Sequence, residues 1–256
     1  MIGKQYEYDA MSKCDKELWW YRNLHDLTVK KIHQYSYPLN AHILDAGCGT
    51  GGMLVTLNQN GYSNVQGFDV SLDAITHTKK RNGSLNIKLL DILQVDKAYL
   101  KNSFDVIICH DILCMLKEPD DKIAFNKLVS LLKPDGLLLM NLPAGKYFRG
   151  THDIAVGITK RYTKAHVKKL AANSIEIKES IYWPFLLSPV IFSVRSLQRI
   201  RTPFVRKRPV LSDVKLPPVL INKALHRLTN WENRNISLKP WGSSIFIVAK
   251  KHGASK

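Results

Sequence analysis

Short apolar runs and longer amphipathic segments alternate along most of this 256-residue chain. Continuous apolar runs are typical of strands that are buried on both faces of a sheet. The segments between them repeat apolar residues every three or four positions, as helices do. The pattern therefore predicts an α/β fold with seven strands, at residues 43–45, 65–69, 87–91, 104–109, 137–143, 175–183 and 243–251.

Residues 43–52 read ILDAGCGTGG, an apolar strand that runs into a turn rich in glycine. Gly47 and Gly49 lack a Cβ, so the backbone can adopt positive φ and its N–H groups can approach a ligand closely. A helix follows, and its N-terminus would face a ligand at the carboxyl end of a parallel sheet. We predict that Asp45, Gly47, Cys48 and Gly49 form a binding site, with an ordinary tight turn as the alternative.

A second acid stands at the end of the next predicted strand. Asp69 lies 24 positions after Asp45, and dinucleotide-binding folds place a ribose-binding acid about 20 residues along from the glycine turn. Asp69 could instead cap the following helix, but Ser71 is the better-placed cap and would leave the carboxylate free. The predicted binding site therefore includes Asp69 and its neighbour Val70.

The segment DAGCGTG, residues 45–51, resembles the first motif of class I S-adenosylmethionine-dependent methyltransferases, an acid two residues before Gly-x-Gly-x-Gly. The added Gly52 also fits the Gly-x-Gly-x-x-Gly pattern of dehydrogenases, so the later motifs must decide. A strand at 104–109, a helix, a Lys-Pro-Asp-Gly turn at 133–136 and a strand at 137–143 are again similar to methyltransferases. The resemblance implies a Rossmann-like, mostly parallel sheet with helices on both faces, and S-adenosyl-L-methionine as the cofactor.

The resemblance also assigns residues at the third and fourth strand tips. Asp91 matches the family acid that binds the adenine amino group, and the N–H of Ile92 matches a donor to a ring nitrogen; a solvated loop aspartate is the alternative. Cys109, a candidate cofactor contact, ends the predicted fourth strand. His110 and Asp111 follow it, where the carboxyl end of the strand faces the transferred methyl group. We expect His110 to contribute mainly backbone contact to the methionine moiety, with a catalytic ring as the alternative. Met115 replaces a histidine that the family often has, so a role tied to that histidine is absent.

The net charge of +17, from 38 basic and 21 acidic residues, favours an anionic partner. Nucleic acid, a phospholipid surface or a phosphorylated substrate would all fit. The four cysteines form no Cys-x-x-Cys pair, so neither a zinc site nor a disulfide framework is indicated. No apolar run reaches the roughly 20 residues that span a bilayer, and the N-terminus lacks the apolar core of a signal peptide. We expect a cytoplasmic protein without a metal, with peripheral attachment to a membrane as an option.

Periodic apolar residues at 12–35 predict one long helix. We expect the first 40 residues to form a helical lid over the sheet. This helix carries the aromatic run Trp19, Trp20 and Tyr21. The run either packs on the core or covers a sulfonium cation by cation–π attraction while excluding water. Family members with a similar leading Trp-Trp-Tyr helix favour the second reading, in which Trp20 contacts the cofactor.

Residues 145–162 interrupt the alternation and contain the candidate catalytic residues. The segment resembles a loop of methyltransferases that are often found beside glycan and lipid tailoring genes, with His-Asp and then His-x-Arg-Arg-Tyr-Thr. His152 and Tyr162 are kept, but Ile158 and Lys160 replace the second His and the first Arg, which argues against a two-histidine mechanism. His152 is the best-placed general base because an unperturbed imidazole titrates near neutral pH. A structural His-Asp pair is the alternative.

About sixty residues, 183–242, separate the last two predicted strands, where a minimal fold needs only a short link. Residues 183–194 are apolar, the positions after them are rich in Arg and Lys, and no acid occurs between Glu179 and Asp213. An apolar helix with a basic end suits an anionic membrane surface. The alternative is a cap on the substrate pocket with solvated basic residues, and both hold if the substrate is amphiphilic.

We predict a methyltransferase core at 41–182 and 243–251 that transfers a methyl group to an oxygen or nitrogen nucleophile of a small or amphiphilic metabolite. An RNA methyltransferase is an alternative, although the basic residues lie beside apolar ones rather than in a groove with spaced aromatics. A non-catalytic, membrane-associated cofactor-binding scaffold is a third. The sequence leaves the oligomeric state open. The site hypothesis requires Asp45, Asp69 and Asp91 to meet at one rim and hold different parts of one nucleoside.

Overall fold

The computed structural model describes residues 5–172, 174–201 and 214–253, which contain a seven-stranded sheet. The strands are β1 (Ile43–Ala46), β2 (Val65–Asp69), β3 (Asn86–Leu89), β4 (Phe104–His110), β5 (Leu132–Pro143), β6 (Glu176–Trp183) and β7 (Ser244–Lys250). Their order across the sheet is β3-β2-β1-β4-β5-β7-β6. β7 runs antiparallel to its neighbours β5 and β6, and the other pairs are parallel. The predicted fold class is confirmed.

The helices cover both faces of this sheet. They are α1 (Gln5–Cys14), α2 (Trp19–Gln34), α3 (Gly52–Gln59), α4 (Leu72–Arg81), α5 (Val95–Ala98), α6 (Asp120–Leu131), α7 (Thr151–Val156), α8 (Lys164–Ala171), α9 (Ser188–Arg201) and α10 (Val219–Asn235). Ser71 caps α4 by accepting a hydrogen bond from the N–H of Ala74, and Thr163 caps α8 in the same way from His166.

The central strands are buried on both sides, which explains their continuous apolar sequence. In β4, Val106 and Ile108 belong to one hydrophobic cluster, whereas Ile107 and Cys109 belong to the cluster on the opposite face. Successive side chains of a strand point to opposite faces, so a strand between two helix layers must be apolar at every position. The two clusters hold the sheet rigid and fix the positions of its strand tips.

The prediction of one long N-terminal helix is wrong, because the chain turns at residues 15–18 between α1 and α2. Asp15 lies in this turn, where its buried carboxylate accepts hydrogen bonds from Thr50 Oγ1 at 2.6 Å and from Arg81 Nη2 at 2.7 Å. These contacts tie the turn to α4 and to the glycine-rich turn after β1. Helical periodicity is local, so it does not reveal a break that distant partners stabilise.

The described part of the segment between β6 and β7 contains the helices α9 and α10. α10 packs on α2, and α9 packs on α7 and on the short 3₁₀ helix at Lys146–Phe148. Arg206, Lys207 and Arg208, part of the predicted basic end, lie outside the described residues. Among the residues that the structure describes, no helix is long and apolar enough to cross a membrane.

Candidate active site

A cavity of about 490 Å³ lies at the carboxyl ends of the central strands. The N-terminal helices, the loop after β5, α9 and residues 214–217 form its other walls. Most of the predicted site residues line it: Asp45, Gly47, Cys48, Gly49, Asp69, Val70, Asp91, Ile92, His110, His152 and Trp20. The three acids thus line the same cavity, whereas their meeting at one rim and their individual roles stay predictions.

The glycine turn after β1 has a backbone that other residues would strain. Gly47, Gly49 and Gly51 have φ values of +76°, +52° and +78°. A Cβ on Gly47 would lie 2.3 Å from Cδ1 of Ile112, and one on Gly51 would lie 2.5 Å from Cγ2 of Thr78. Glycine is thus required both by conformation and by space, and the turn forms a narrow cradle at the cavity wall.

Asp69 is held firmly at this turn. One carboxylate oxygen accepts a hydrogen bond from the N–H of Gly49 and the other from the N–H of Ser71, both at 2.9 Å. Tyr8 Oη donates to the same carboxylate at 3.5 Å. Ser71 rather than Asp69 caps α4, as predicted, but Asp69 is not without partners, since it accepts from the backbone N–H of the capping residue. Its orientation is thereby fixed with the carboxylate at the cavity.

Asp45 sits beside Asp69 in a buried position. Burial, followed by the charge of Asp69, raises the pKa of Asp45 to about 7. Burial also raises the pKa of Asp69. Two carboxylates that are costly to ionise together favour a ligand that brings hydroxyl donors and a positive charge. S-adenosylmethionine carries ribose hydroxyls and an α-ammonium group, so this donor set fits it.

Asp91 and Ile92 follow β3 rather than ending it, because β3 stops at Leu89. Oδ1 of Asp91 accepts a hydrogen bond from the N–H of Leu93 at 2.8 Å and caps the 3₁₀ helix at Ile92–Gln94. The cap orients the carboxylate along the cavity rim. This placement is compatible with the adenine contact that the family resemblance implies.

Trp20 combines the two roles proposed for the aromatic run. Its ring stacks on the fully buried Trp183, with centroids 5.4 Å apart and planes 20° apart, and it also lines the cavity. Trp183 donates from Nε1 to Oδ1 of Asn141 at 2.9 Å. A core contact therefore fixes the ring of Trp20 at the cavity wall.

His110 lines the cavity as a neutral imidazole. Burial, together with the charge of His25, lowers the pKa of His110 to about 3. Its Nε2 lies 3.3 Å from Thr28 Oγ1, which donates its own hydrogen to the carbonyl of Leu24. Thr28 therefore accepts from Nε2–H, and the lone pair of His110 is on Nδ1.

Tyr162 and Cys109 do not reach the cavity, which corrects two of the predictions. Tyr162 is buried in the core, and its hydroxyl lies 3.3 Å from both the carbonyl of Leu113 and Oδ2 of Asp121. Cys109 is fully buried among core residues. In both cases the side chain is turned by strand or loop geometry toward the helix layer, so a catalytic role for Tyr162 and a cofactor contact for the thiol are not supported.

His152 lies half-buried in α7, at the cavity wall. The adjacent Asp153 forms a buried ion pair with Arg161, at 2.7 Å between Oδ1 and Nη2, and accepts from the N–H of Gly150 at 2.9 Å. Arg161 also donates from Nη1 to the carbonyl of Ala144 at 3.0 Å. Asp153 and Arg161 thus order the loop and position His152.

Asp111 and Tyr21 line the cavity but are not among the predicted site residues. Asp111 has a positive φ of +57°, and its carboxylate accepts from Nδ2 of Asn141 at 2.9 Å and 3.1 Å. Burial raises the pKa of Asp111 to about 7. The signal was available, because Asp111 and Asn141 stand at neighbouring strand tips, β4 and β5. Tyr21 also lines the cavity, and burial near Asp15 and Asp111 raises its pKa.

The strand order with an antiparallel β7, and a glycine turn that shares a cavity with Asp45, Asp69 and Asp91, are typical of a class I methyltransferase. The chain belongs to the methyltransferase domain family, whose profile matches residues 39–185. This confirms the family that the DAGCGTG motif indicated.

Several proteins named as methyltransferases are similar to part of the chain. One from Geobacillus sp. (strain WCH70) is 30% identical over 142 residues, which are 54% of this chain and 55% of that protein. Phosphoethanolamine N-methyltransferase of Plasmodium falciparum (isolate 3D7) is 29% identical over 118 residues, 45% of this chain and 44% of that protein. The chain spans about half the length of these curated relatives.

Solved structures share the fold. A SAM-dependent methyltransferase from Archaeoglobus fulgidus has a TM-score of 0.53 at 17% identity and covers 89% of this chain and 94% of its own. Phosphoethanolamine N-methyltransferase 2 of Haemonchus contortus, in complex with S-adenosyl-L-methionine, has a TM-score of 0.55 at 16% identity, with 89% and 52% covered. Within the described ranges, no group of three His, Cys, Asp or Glu residues could hold a metal ion.

Proposed function

We propose that this chain transfers a methyl group from S-adenosylmethionine to an oxygen or nitrogen nucleophile of a small or amphiphilic acceptor. One observation carries the proposal: a single cavity joins the glycine turn and its acids to a chamber walled by the N-terminal helices, the loop after β5 and α9. We also propose that residues 1–40 and 183–242 act as a lid and a cap on a core at 41–182 and 243–251.

The chamber beyond the acids has the character that an amphiphilic acceptor requires. Its apolar wall combines residues from four parts of the chain: Leu18, Trp19, Phe148, Val156, Ile191 and Val214. A few polar groups interrupt this wall, among them His152, Arg161 and Asp111. Apolar sites with a small number of placed polar groups bind ligands whose polar end must be oriented.

The cofactor supplies an electrophilic methyl group on sulfonium, and the chain's own residues must bind, orient and accept a proton. Asp69 and Asp91 offer fixed carboxylates for hydroxyl and amino groups of the nucleoside, and ionised Asp45 offers a counter-charge for the α-ammonium. Trp20 and Tyr21 cover the cavity and restrict water. Holding an acceptor in line with the methyl–sulfur bond can contribute about 7–11 kcal/mol to lowering the barrier.

We propose His152 as the group that accepts the proton of the acceptor. His110 is a weaker candidate, because its low pKa makes the imidazole a poor base, and its Nε2–H is engaged by Thr28. Asp111 is the competing base, since its pKa of about 7 allows it to gain a proton near neutral pH. The two bases differ in position and can be separated by substitution.

The test compares His152→Ala with Asp111→Asn, using release of S-adenosylhomocysteine to follow turnover on a panel of amines and phenols with and without an alkyl chain. His152→Ala should lower kcat by about 100-fold or more and leave the affinity for S-adenosylmethionine unchanged. His166→Ala, an exposed histidine on α8, is the matched control and should behave like the wild type. Unchanged turnover in His152→Ala would exclude it as the base.

The same panel tests the acceptor class. Acceptors with an alkyl chain should have a lower KM than their short-chain counterparts, because the chamber wall is apolar. A second candidate, an RNA acceptor, is favoured only by the net charge of +17. If the chain methylated RNA and none of the small acceptors, the proposed function would be wrong and an RNA methyltransferase would take its place.

We also propose an anionic membrane surface as a partner, since an amphiphilic acceptor would be concentrated there. On α9, Val190, Val194 and Leu197 are exposed and recur at four- and three-residue steps, so they form one apolar stripe. An exposed stripe of this kind is typical of helices that lie at an interface.

A further inference from the structure

Helix α10 is built the opposite way from an ordinary surface helix. Its buried residues are polar, namely Asn222, Thr229 and Glu232. Its most exposed residues include Leu220, at 81% exposure, and Trp231, at 53%. A helix that packs on a soluble protein normally turns its apolar side inward, so the outward apolar side of α10 calls for a partner.

The inward polar residues form specific hydrogen bonds with neighbouring segments. Asn222 accepts a hydrogen bond from the N–H of Trp19 at 2.9 Å and donates to the carbonyl of Glu17 at 2.7 Å, which anchors the start of α2. Glu232 accepts from the N–H groups of Phe185 and Leu186 at 2.7 and 2.8 Å. The orientation of α10 is therefore fixed by specific bonds, and the helix cannot simply roll to bury its apolar side.

The outward side forms a continuous stripe with a basic border. Leu220, Ala224, Leu228 and Trp231 fall on one face, at steps of four, four and three residues. Lys223, Arg227 and Arg234 are exposed and follow one another at steps of four and seven residues along the border of that stripe. The only acid of α10 is Glu232, which is fully buried. The exposed surface of this helix is thus apolar and positively charged.

This helix is also joined directly to the cavity. Val214, Lys215 and Pro217 line the cavity, and α10 begins two residues later, at Val219. Leu216 and Val219 are themselves exposed apolar residues at this junction. A surface held against α10 would therefore lie next to the wall of the acceptor chamber.

We propose that α10 docks the protein on an anionic phospholipid bilayer, with its Leu220–Trp231 stripe in the interface and its basic border at the headgroups. The role of this docking rests on the proposed function, because docking on lipid would place the chamber where amphiphilic acceptors are found. Apolar side chains with a basic border suit the headgroup and acyl boundary of an anionic leaflet, and Trp is enriched there.

A second copy of this chain is the less suitable occupant. A two-fold contact through the same stripe would bring the basic borders of two strongly positive chains together. The phospholipid headgroups supply the opposite charge instead. Charge complementarity therefore selects the bilayer.

The test is flotation of the full chain with vesicles of phosphatidylcholine containing phosphatidylglycerol, compared with vesicles of phosphatidylcholine alone. We expect binding to the anionic vesicles that weakens as salt is raised. Leu220→Glu should weaken partitioning about ten-fold. Its matched control is Leu100→Glu, because Leu100 is 82% exposed but precedes β4, at the other end of the sheet from the cavity.

A second experiment tests the basic border with the double variant Lys223→Glu/Arg227→Glu, which should weaken partitioning at least about 20-fold. The control is Lys79→Glu/Lys80→Glu on α4, which changes the net charge equally. The docking proposal is overturned if the chain ignores anionic vesicles, or if Leu220→Glu floats as well as Leu100→Glu. It is equally overturned if light scattering shows a dimer that Leu220→Glu dissociates while vesicles bind nothing.

Calorimetry with S-adenosylmethionine separates this proposal from the proposed function. Leu220→Glu should retain the cofactor affinity of the wild type, which also shows that the variant is folded. A wild-type chain that floats with anionic vesicles but binds no S-adenosylmethionine would refute the proposed function and support the docking surface.

Discussion

The two ends of the cavity are built by different means. At the proposed cofactor end, Asp45 and Asp69 lie at the ends of β1 and β2 and Gly47 follows β1, so the sheet and backbone hydrogen bonds fix their positions. At the proposed acceptor end, the walls come from side chains of the N-terminal helices, the loop after β5 and the segment before β7. The first end is rigid and polar, whereas the second is apolar and depends on contacts between distant parts of the chain.

This difference indicates which function each end can serve. A cradle of backbone and fixed acids suits a cofactor whose structure does not vary. Walls of side chains on helices and loops can change without disturbing the sheet, so they suit the recognition of a particular acceptor. Substitutions at the two ends should therefore separate cofactor binding from acceptor binding and from stability.

The largest effect is expected from Arg161→Met at the acceptor end. The substitution leaves the carboxylate of Asp153 buried and without its main partner, so the free energy of unfolding should fall by about 3–5 kcal/mol. Urea titration measures this change. Lys178→Met, which removes a solvent-exposed pair with Glu176, is the control and should leave the free energy of unfolding nearly unchanged. Equal losses in the two variants would show that the Arg161–Asp153 pair does not hold the loop.

The next effect is expected at the cofactor end, from Gly47→Ala. The new Cβ would lie 2.3 Å from Ile112 in a left-handed backbone, and it would narrow the cradle at the cavity wall. Affinity for S-adenosylmethionine should fall about 100-fold, or about 3 kcal/mol. Gly157→Ala is the matched control, because Gly157 has a φ of +81° but nothing within 4 Å of its would-be Cβ.

Both glycine variants should lose about 1–2 kcal/mol of stability to left-handed strain. Only Gly47→Ala should lose cofactor affinity. If Gly157→Ala weakened calorimetric binding as much, general destabilisation would explain the loss and the cradle would not.

Asp45→Asn should weaken cofactor binding and raise the free energy of unfolding. The pKa of Asp45 is about 7 in the folded chain and 3.8 in the unfolded chain. Below about pH 4 the carboxyl is protonated in both states, so it does not lower the free energy of unfolding. As the pH rises from about 4 to 7, Asp45 lowers the free energy of unfolding progressively more. At pH 8 the variant should therefore be more stable by about 2–4 kcal/mol without cofactor. At pH 5 the gain should be smaller, as urea titrations at both values would show. A gain that did not depend on pH would exclude this cause.

The smallest effect concerns Trp20, which belongs to both ends. Trp20→Leu should lower stability by about 1 kcal/mol through lost stacking on Trp183. It should also weaken S-adenosylmethionine binding about five-fold, if the ring faces the sulfonium. Trp231→Leu on α10 should change neither quantity. Unchanged affinity in Trp20→Leu would leave the ring with a packing role only.

The elements that could be predicted from the sequence are those that local patterns determine. The strands, the glycine turn and the caps at Ser71 and Thr163 follow from local patterns, and the structure contains them. The placement of Tyr162 and Cys109 in the core depends on how a loop and a strand face the helix layer. Tertiary packing determines which way these side chains point, and no periodicity in the sequence predicts it.

Protonation states and the helices of the cap also depend on residues that are distant in the sequence. The neutral state of His110 depends on burial and on His25, which is distant in sequence. The break at Asp15 depends on Arg81 and Thr50. The reversed polarity of α10 becomes visible only once its inward partners, at the start of α2 and just after β6, are known.

The most direct test of the central claim is a crystal structure of the chain with S-adenosylhomocysteine. We predict that the nucleoside lies at the rim formed by Asp69 and Asp91, and that the amino acid moiety lies against Gly47 and Asp45. The sulfur should face the apolar chamber that His152 lines. A nucleoside bound away from Asp69 and Asp91, or a sulfur that faces away from the chamber, would contradict this prediction.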